Sequence, residues 1–139
     1  MMKVFYIILG VFITFMVIMF LRVGDKTDLT EVVEHTEKIQ LIFYQSDGTE
    51  KFVDITDRSE IKQFDAFISN EDTPVYTCGY TGRMVFFLYP DMAPPGKNTI
   101  VVEFNVDASC RHAAYYFDDA LQTKTLTKKG VDYLNSIKP

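Results

Sequence analysis

Two cysteines and one of the two histidines are the residues of this chain best suited to chemistry. Cys110, Arg111 and His112 are consecutive, and a neighbouring cation or imidazole favours the nucleophilic thiolate form of a cysteine. One hypothesis is therefore a thiol-dependent enzyme that uses Cys110 and His112. Joining Cys78 and Asp107 to this group would assemble a metal site, but no C-x-x-C, H-x-H or H-E-x-x-H spacing supports one. We predict no catalytic residue, no metal and no cofactor.

The same two cysteines are also placed for a disulfide. Cys78 lies just before a predicted turn at 81–82, and Cys110 lies in the predicted turn after a strand at 99–106. In an antiparallel meander these two turns lie at the same end of the sheet, and the loop 90–98 lies at the other. A bridge closing a loop of about 32 residues stabilises by roughly 3–4 kcal/mol and is typical of an oxidising compartment. We predict the Cys78–Cys110 disulfide, with two buried free thiols as the alternative.

Tyrosines are numerous for so short a chain, and they are candidates for an interface because Tyr combines a broad contact area with a polar tip. The candidates are Tyr76, Tyr80, Tyr89, Tyr115 and Tyr116. The alternative is that these side chains fill and border a small core.

Length and composition limit the classes of protein that remain. A chain of 139 residues is one ordinary domain, and a hydrophobic content of 47% excludes intrinsic disorder. The net charge of −5 and the pI near 4.9 argue against a protein that binds nucleic acid through its backbone phosphates.

The first two dozen residues predict a membrane anchor. Residues 4–21 contain no charged side chain, and as a helix they would rise about 27 Å, close to the ~30 Å of a bilayer core. Lys3 and Arg22 flank the run, and no small-residue pair marks a cleavage site after it. We predict a single transmembrane signal-anchor helix over 1–23, crossing the bilayer with residues 3–22. A cleaved signal peptide and a buried core helix are the alternatives.

The positive charges on the two sides of this run nearly balance, so they decide little about orientation. The predicted disulfide favours a periplasmic or extracellular domain. Removing Lys3 and Arg22 from the 14 basic residues leaves 12 against 19 acidic ones in residues 23–139, a net charge of −7. Such a domain would be repelled by an anionic leaflet.

The layout of anchor, tether and small two-cysteine domain is similar in form to many bacterial envelope proteins. That similarity of form carries no activity with it. The aromatic and acidic residues of the domain predict another envelope protein or a basic ligand as the partner.

After a predicted tether at 24–37, hydrophobic periodicity predicts an exported α+β domain over 38–139. Alternating residues and an Asp-Gly turn predict a hairpin of strands 38–44 and 51–55. An apolar stripe predicts a helix at 58–69. A meander follows, and Thr127 begins a helix that ends at Ile137. The meander strands are predicted at 75–80, 84–89, 99–106, 111–117 and 121–126. The tether has one alternative, a short helix, since Asp28-Leu29-Thr30-Glu31 resembles a capping box. The predicted function is a membrane-anchored binding or accessory module.

Overall fold

A computed structural model of the chain describes residues 28–93, 96–117 and 119–139. The predicted anchor at 1–23 lies outside the described residues, as do Pro94, Pro95 and Asp118. Among the helices that are described, none has the length and apolarity needed to cross a membrane.

The described residues form three α-helices, one 3-10 turn and seven β-strands. In chain order they are α1 (Asp28–Glu34), β1 (Thr36–Tyr44), β2 (Glu50–Ile55), α2 (Arg58–Gln63), the 3-10 turn (Phe64–Ala66), β3 (Ile68–Asp72), β4 (Gly82–Leu88), β5 (Thr99–Asn105), β6 (His112–Phe117), β7 (Ala120–Leu126) and α3 (Lys128–Ile137). The fold class is α+β, as predicted.

All seven strands join in one antiparallel sheet with the order β2-β1-β4-β5-β6-β7-β3. The helices cover one of its faces, here called the covered face, and alternate residues of each strand point into the core between them. On β1 these residues are Ile39, Leu41 and Phe43, all buried. The predicted alternation, the hairpin and the order of the last four strands are confirmed.

The prediction of a tether is wrong for residues 28–37. These residues form α1 and the start of β1, and Leu29, Val32 and Val33 are buried in the core. The guanidinium of Arg58 donates to the carbonyls of Val33 and Glu34 at 3.2 and 2.7 Å. It thereby satisfies acceptors that the last turn of a helix leaves free. The i, i+3, i+4 spacing of the three apolar residues was the signal for this helix.

The predicted helix at 58–69 is shorter than expected. It begins as predicted, because the carboxylate of Asp57 accepts from the N–H of Glu60 at 2.9 Å. It ends in the 3-10 turn, and Ile68 starts β3 by pairing with Leu126. The carbonyl of Phe67 accepts from the N–H of Thr127 at 2.9 Å. The carbonyl of Phe67 is therefore already bonded to the start of α3. It cannot accept the intrahelical hydrogen bond that a longer α2 would need.

The final helix is confirmed from its cap onward. The hydroxyl of Thr127 accepts from the N–H of Gly130 at 3.1 Å, and Val131 and Leu134 are buried. A Cβ atom at Gly130 would lie 2.6 Å from the carbonyl oxygen of Phe67. Glycine at this position therefore allows α3 to lie close to the backbone of Phe67. Nothing in the sequence predicts this close contact.

The strand predicted at 75–80 is wrong. The structure describes all of residues 73–81 and finds neither helix nor strand there. Both edges of β4 are already paired, as are both edges of β5, β6 and β7, so this segment cannot pair beside any of these four strands. Gly79 also has a φ of +73°, outside the range of an extended chain. The segment instead connects β3, at the edge of the sheet, to β4 near its centre.

Candidate functional site

Residues 73–81, here called the crossing segment, lie against the face of the sheet that the helices leave uncovered, here called the open face. The N–H of Thr73 donates to the carbonyl of Thr123 on β7 at 2.9 Å. The N–H of Thr81 donates to the carbonyl of Phe104 on β5 at 2.8 Å. Between these two hydrogen bonds the chain passes over β7, β6 and β5.

The crossing segment is fastened to the turn between β5 and β6 by a disulfide. Cys78 and Cys110 are bonded, with their Cα atoms 6.4 Å apart. The predicted disulfide is thus present in the structure. Its basis was correct in part: the start of β4 and the β5–β6 turn do lie at the same end of the sheet, although Cys78 belongs to the crossing segment and not to a strand.

Two tyrosines of the crossing segment pack, with tilted rings, against a buried histidine of the open face. The ring centroids of Tyr76 and Tyr80 lie 4.9 and 5.4 Å from that of His112, which is only 1% exposed. Nδ1 of His112 lies 2.6 Å from the carbonyl oxygen of Cys110. A carbonyl can only accept, so Nδ1 donates this hydrogen bond and fixes the ring under the two tyrosines.

Asn105 supplies a further connection between the sheet and the crossing segment. Its amide nitrogen donates to the carbonyl of Gly79 at 3.0 Å, and its amide oxygen accepts from the N–H of Asp107 at 2.8 Å. The side chain is buried although it lies on the open face, because the crossing segment covers the open face at this point.

Beyond the crossing segment, the open face carries exposed apolar side chains on three neighbouring strands. The register places Val101 of β5 beside Tyr116 of β6, and Tyr116 opposite Leu121 of β7. Tyr116 is 67% exposed, and the other two are also exposed. An antiparallel sheet with one wet face usually carries polar side chains there. A row of apolar side chains in such a place is typical of a contact surface.

We name this combined feature the tyrosine surface. It consists of Val75, Tyr76 and Tyr80 on the crossing segment and Val101, Tyr116 and Leu121 on the open face, all of them exposed. His112, which carries the first group, and Tyr116 lie on the same face of β6, four residues or about 13 Å apart. The two groups are therefore parts of one face of the molecule.

A polar cluster lies on the same face, toward β1 and β2. The hydroxyl of Tyr44 donates to Glu103 at 3.0 Å, and the guanidinium of Arg83 lies 3.8 Å from the carboxylate of Glu50. Partial burial and the hydrogen bond to Glu103 raise the pKa of Tyr44 to about 12. Tyr44 is consequently neutral at physiological pH and acts there as a hydrogen-bond donor.

The five predicted interface tyrosines lie in different places. Tyr76, Tyr80 and Tyr116 belong to the tyrosine surface. Tyr89 is exposed at the far end of β4, where its N–H donates to the carbonyl of His35. Tyr115 is 4% exposed and packs in the core on the covered face. As an interface residue Tyr115 is a wrong prediction, because neighbours on a strand point to opposite faces.

The hypothesis of a thiol-dependent enzyme meets two obstacles in this geometry. The sulfur of Cys110 is bonded to Cys78, so it has no thiolate to offer in this state. The ring of His112 is buried beneath Tyr76 and Tyr80.

Within the part of the chain that the structure describes, no three His, Cys, Asp or Glu residues are grouped closely enough to bind a metal ion.

Sequence reasoning missed Val75, Val101 and Leu121 as surface residues. A signal for Val101 was present: it is the apolar residue at a position where alternation along 99–106 predicts a side chain facing solvent. Leu121 gave the same kind of signal at the start of β7. Val75 gave none, because the course of the crossing segment depends on contacts between distant parts of the chain.

No family model, no curated protein and no solved structure matches this chain.

Proposed function

We propose that this chain is a membrane-anchored binding module of the cell envelope, and that the tyrosine surface is where it binds its partner. The observation that carries the proposal is the arrangement of Tyr76 and Tyr80. Both side chains are exposed, yet the chain that bears them is fixed by the disulfide and by ring contacts with buried His112. Exposed aromatic side chains held in one place suit a binding surface.

The energetics of binding favour such an arrangement. Aromatic side chains supply much of the binding energy at protein interfaces, and Tyr is among the residues enriched there. Binding is weakened when side chains and loops must become ordered at the interface. The disulfide and the ring contacts order the crossing segment beforehand, which reduces that entropic cost.

The membrane anchor at 3–22 and the location outside the cytoplasm are part of the proposal. Their support is the charge-free run at 4–21 and the disulfide, which suits an oxidising compartment. At most five residues separate Arg22 from α1, a reach of about 20 Å for an extended chain. The partner would therefore be met close to the bilayer, which favours another protein of the envelope.

Binding is tested by adding one negative charge to either face of the domain. The full-length chain is purified from membranes of its native cells, and the proteins that co-purify with it are identified. The same purification is carried out with Tyr116→Asp and with Leu121→Asp. We expect both variants to lose a partner that the unchanged chain retains. Asn135→Asp adds the same charge on exposed α3 and should retain it. Loss in all three variants, or in none, would contradict the proposed surface.

The location is tested separately. A reporter enzyme that folds only outside the cytoplasm is fused after Pro139, and activity in intact cells is the expected result. An inactive reporter, with a cytoplasmic reporter active at the same position, would overturn the proposed orientation while leaving the binding test unaffected.

A further inference from the structure

The crossing segment is joined to the sheet differently from every element of the core. Backbone hydrogen bonds fix its two ends, at Thr73 and Thr81. Between those ends it is held by the Asn105–Gly79 hydrogen bond, by the contacts of two tyrosine rings with His112 and by the disulfide. Among the described residues, the hydrophobic core includes none from 73–81. The covered face can therefore stay packed when the crossing segment leaves the open face.

The two cysteines of the bridge differ in exposure. Cys78 is an exposed residue and Cys110 is half-buried. A thiolate attacks a disulfide at a sulfur that it can reach, which favours Cys78, the more exposed residue of the pair, as the point of attack. Cys110 would remain in place after the bond breaks, because its carbonyl accepts from His112. Cys78 would be free to leave with the crossing segment.

We propose that the Cys78–Cys110 bridge is a site of thiol–disulfide exchange with a dithiol oxidoreductase of the envelope, and that its reduction releases the crossing segment from the open face. Because Tyr76 and Tyr80 move with the segment, reduction dismantles half of the tyrosine surface. The control of binding rests on the proposed function, whereas the release itself does not.

The exchange balances in two steps. A thiolate of the oxidoreductase bonds to the sulfur of Cys78, the Cys78–Cys110 bond breaks, and Cys110 leaves as a thiolate that takes up a proton. The second thiol of the oxidoreductase then gives up its proton and attacks the mixed disulfide, and Cys78 leaves and is protonated. Two electrons and two protons pass to the cysteine pair, and the oxidoreductase ends as a disulfide.

Direct attack on the folded protein is tested by the dependence of the reduction rate on urea. The full-length chain in a mild non-ionic detergent is treated with reduced thioredoxin as the probe, at urea concentrations below the unfolding transition. Attack on exposed Cys78 requires no unfolding, so the rate should change by less than about twofold. A rate that rises with the urea dependence of global unfolding, or no reduction at all, would overturn the proposal.

Release is tested by hydrogen exchange on the same protein without any partner. We expect reduction to increase exchange at least tenfold at the hydrogen-bonded amides of Thr81, Asp107 and Cys110, with little change in β1, β4 and α3. The double variant Cys78→Ser, Cys110→Ser should match the reduced chain. Faster exchange throughout the domain, or no change at these three amides, would contradict release. Neither result depends on binding. Release can therefore be contradicted while the proposed binding function stands, and the binding function can be contradicted while release stands.

Discussion

The covered face and the open face of the sheet are built on different physical principles. On the covered face, Phe64 packs against Phe67, Phe86 and Tyr133 with ring centroids 4.7 to 6.2 Å apart, and the side chains beneath the helices are buried. On the open face, the crossing segment is held by a disulfide, a few hydrogen bonds and two ring contacts, and its tyrosines remain exposed.

The two faces therefore have different roles: packing on the covered face determines the fold, and the open face is available for binding. Burial of apolar area is cooperative, because many side chains lose their contacts together when the core opens. The attachments of the crossing segment are local, and they can break without exposing the core. We therefore expect side-chain changes on the covered face to alter global stability, and side-chain changes on the open face to alter local order and binding. The disulfide is an exception, because opening it frees the unfolded chain and so lowers global stability as well.

The largest effect is expected from a core phenylalanine. Phe86→Ala removes a fully buried ring from β4 and should lower the free energy of unfolding by about 3–5 kcal/mol. Phe52→Ala makes the same change on β2 at a position that is 57% exposed, where about 0.5 kcal/mol or less is expected. Urea unfolding of the two variants measures both values. Similar losses would mean that the two faces do not differ in this way.

The disulfide should come next. Replacing both cysteines with serine removes a constraint on the unfolded chain and should cost about 2–5 kcal/mol. The secondary structure of the sheet should remain, because the crossing segment lies outside the core. Urea unfolding gives the loss, and circular dichroism at zero urea monitors the sheet. A stability unchanged by the substitution, or by a reductant shown to open the bridge, would contradict a stabilising role.

A smaller change in stability is expected for Gly130→Ala. Its sign tells whether helix propensity or the close contact with Phe67 dominates. Helix propensity alone predicts that Gly130→Ala stabilises α3 by about 1 kcal/mol. The new Cβ atom would meet the carbonyl oxygen and side chain of Phe67 at 2.6 and 2.8 Å, so we expect a net loss of about 1–3 kcal/mol. Asn135→Ala, at an exposed position of α3, is the control for propensity. A gain in melting temperature for Gly130→Ala would refute the close contact.

The smallest effect concerns pH and the start of α2. The hydroxyl of Ser59 and the N–H of Glu60 donate to Asp57 and lower the pKa of its carboxyl below the usual value of 3.8. The resulting stability is fully present above about pH 4 and is lost as pH falls through the lower pKa of the folded state. Asp57→Asn keeps a capping oxygen but does not titrate. Its stability relative to the unchanged chain should therefore rise as pH falls from 5 to 2, and a constant difference would contradict the assignment.

The covered face was largely predictable from the sequence. Period-two alternation through Ile39, Leu41 and Phe43 identified β1, and the Asp-Gly turn identified its hairpin partner. The start of α3 followed from Thr127 as its cap. In each case the signal lies within a few residues, because a strand or helix must turn its apolar side chains to one core.

The open face was predictable only in part. The disulfide followed from the order of the meander, which requires only that consecutive strands pair. The crossing segment did not, since its residues Val75, Tyr76 and Tyr80 have the composition of a strand. Its path depends on which edges of β4 are already paired and on the burial of Asn105 and His112. Such contacts join residues far apart in the sequence.

The central claim is that the tyrosine surface, and not the covered face, binds the partner. It is tested most directly by placing a photo-reactive amino acid, one position at a time, at Tyr80, Tyr116, Lys62 and Lys129 of the full-length chain in intact native cells. Lys62 and Lys129 are exposed on α2 and α3. We expect Tyr80 and Tyr116 to cross-link to the same protein, and the two lysine positions to give no cross-link to it. Cross-links to one protein from the lysine positions, with none from Tyr80 or Tyr116, would contradict this claim.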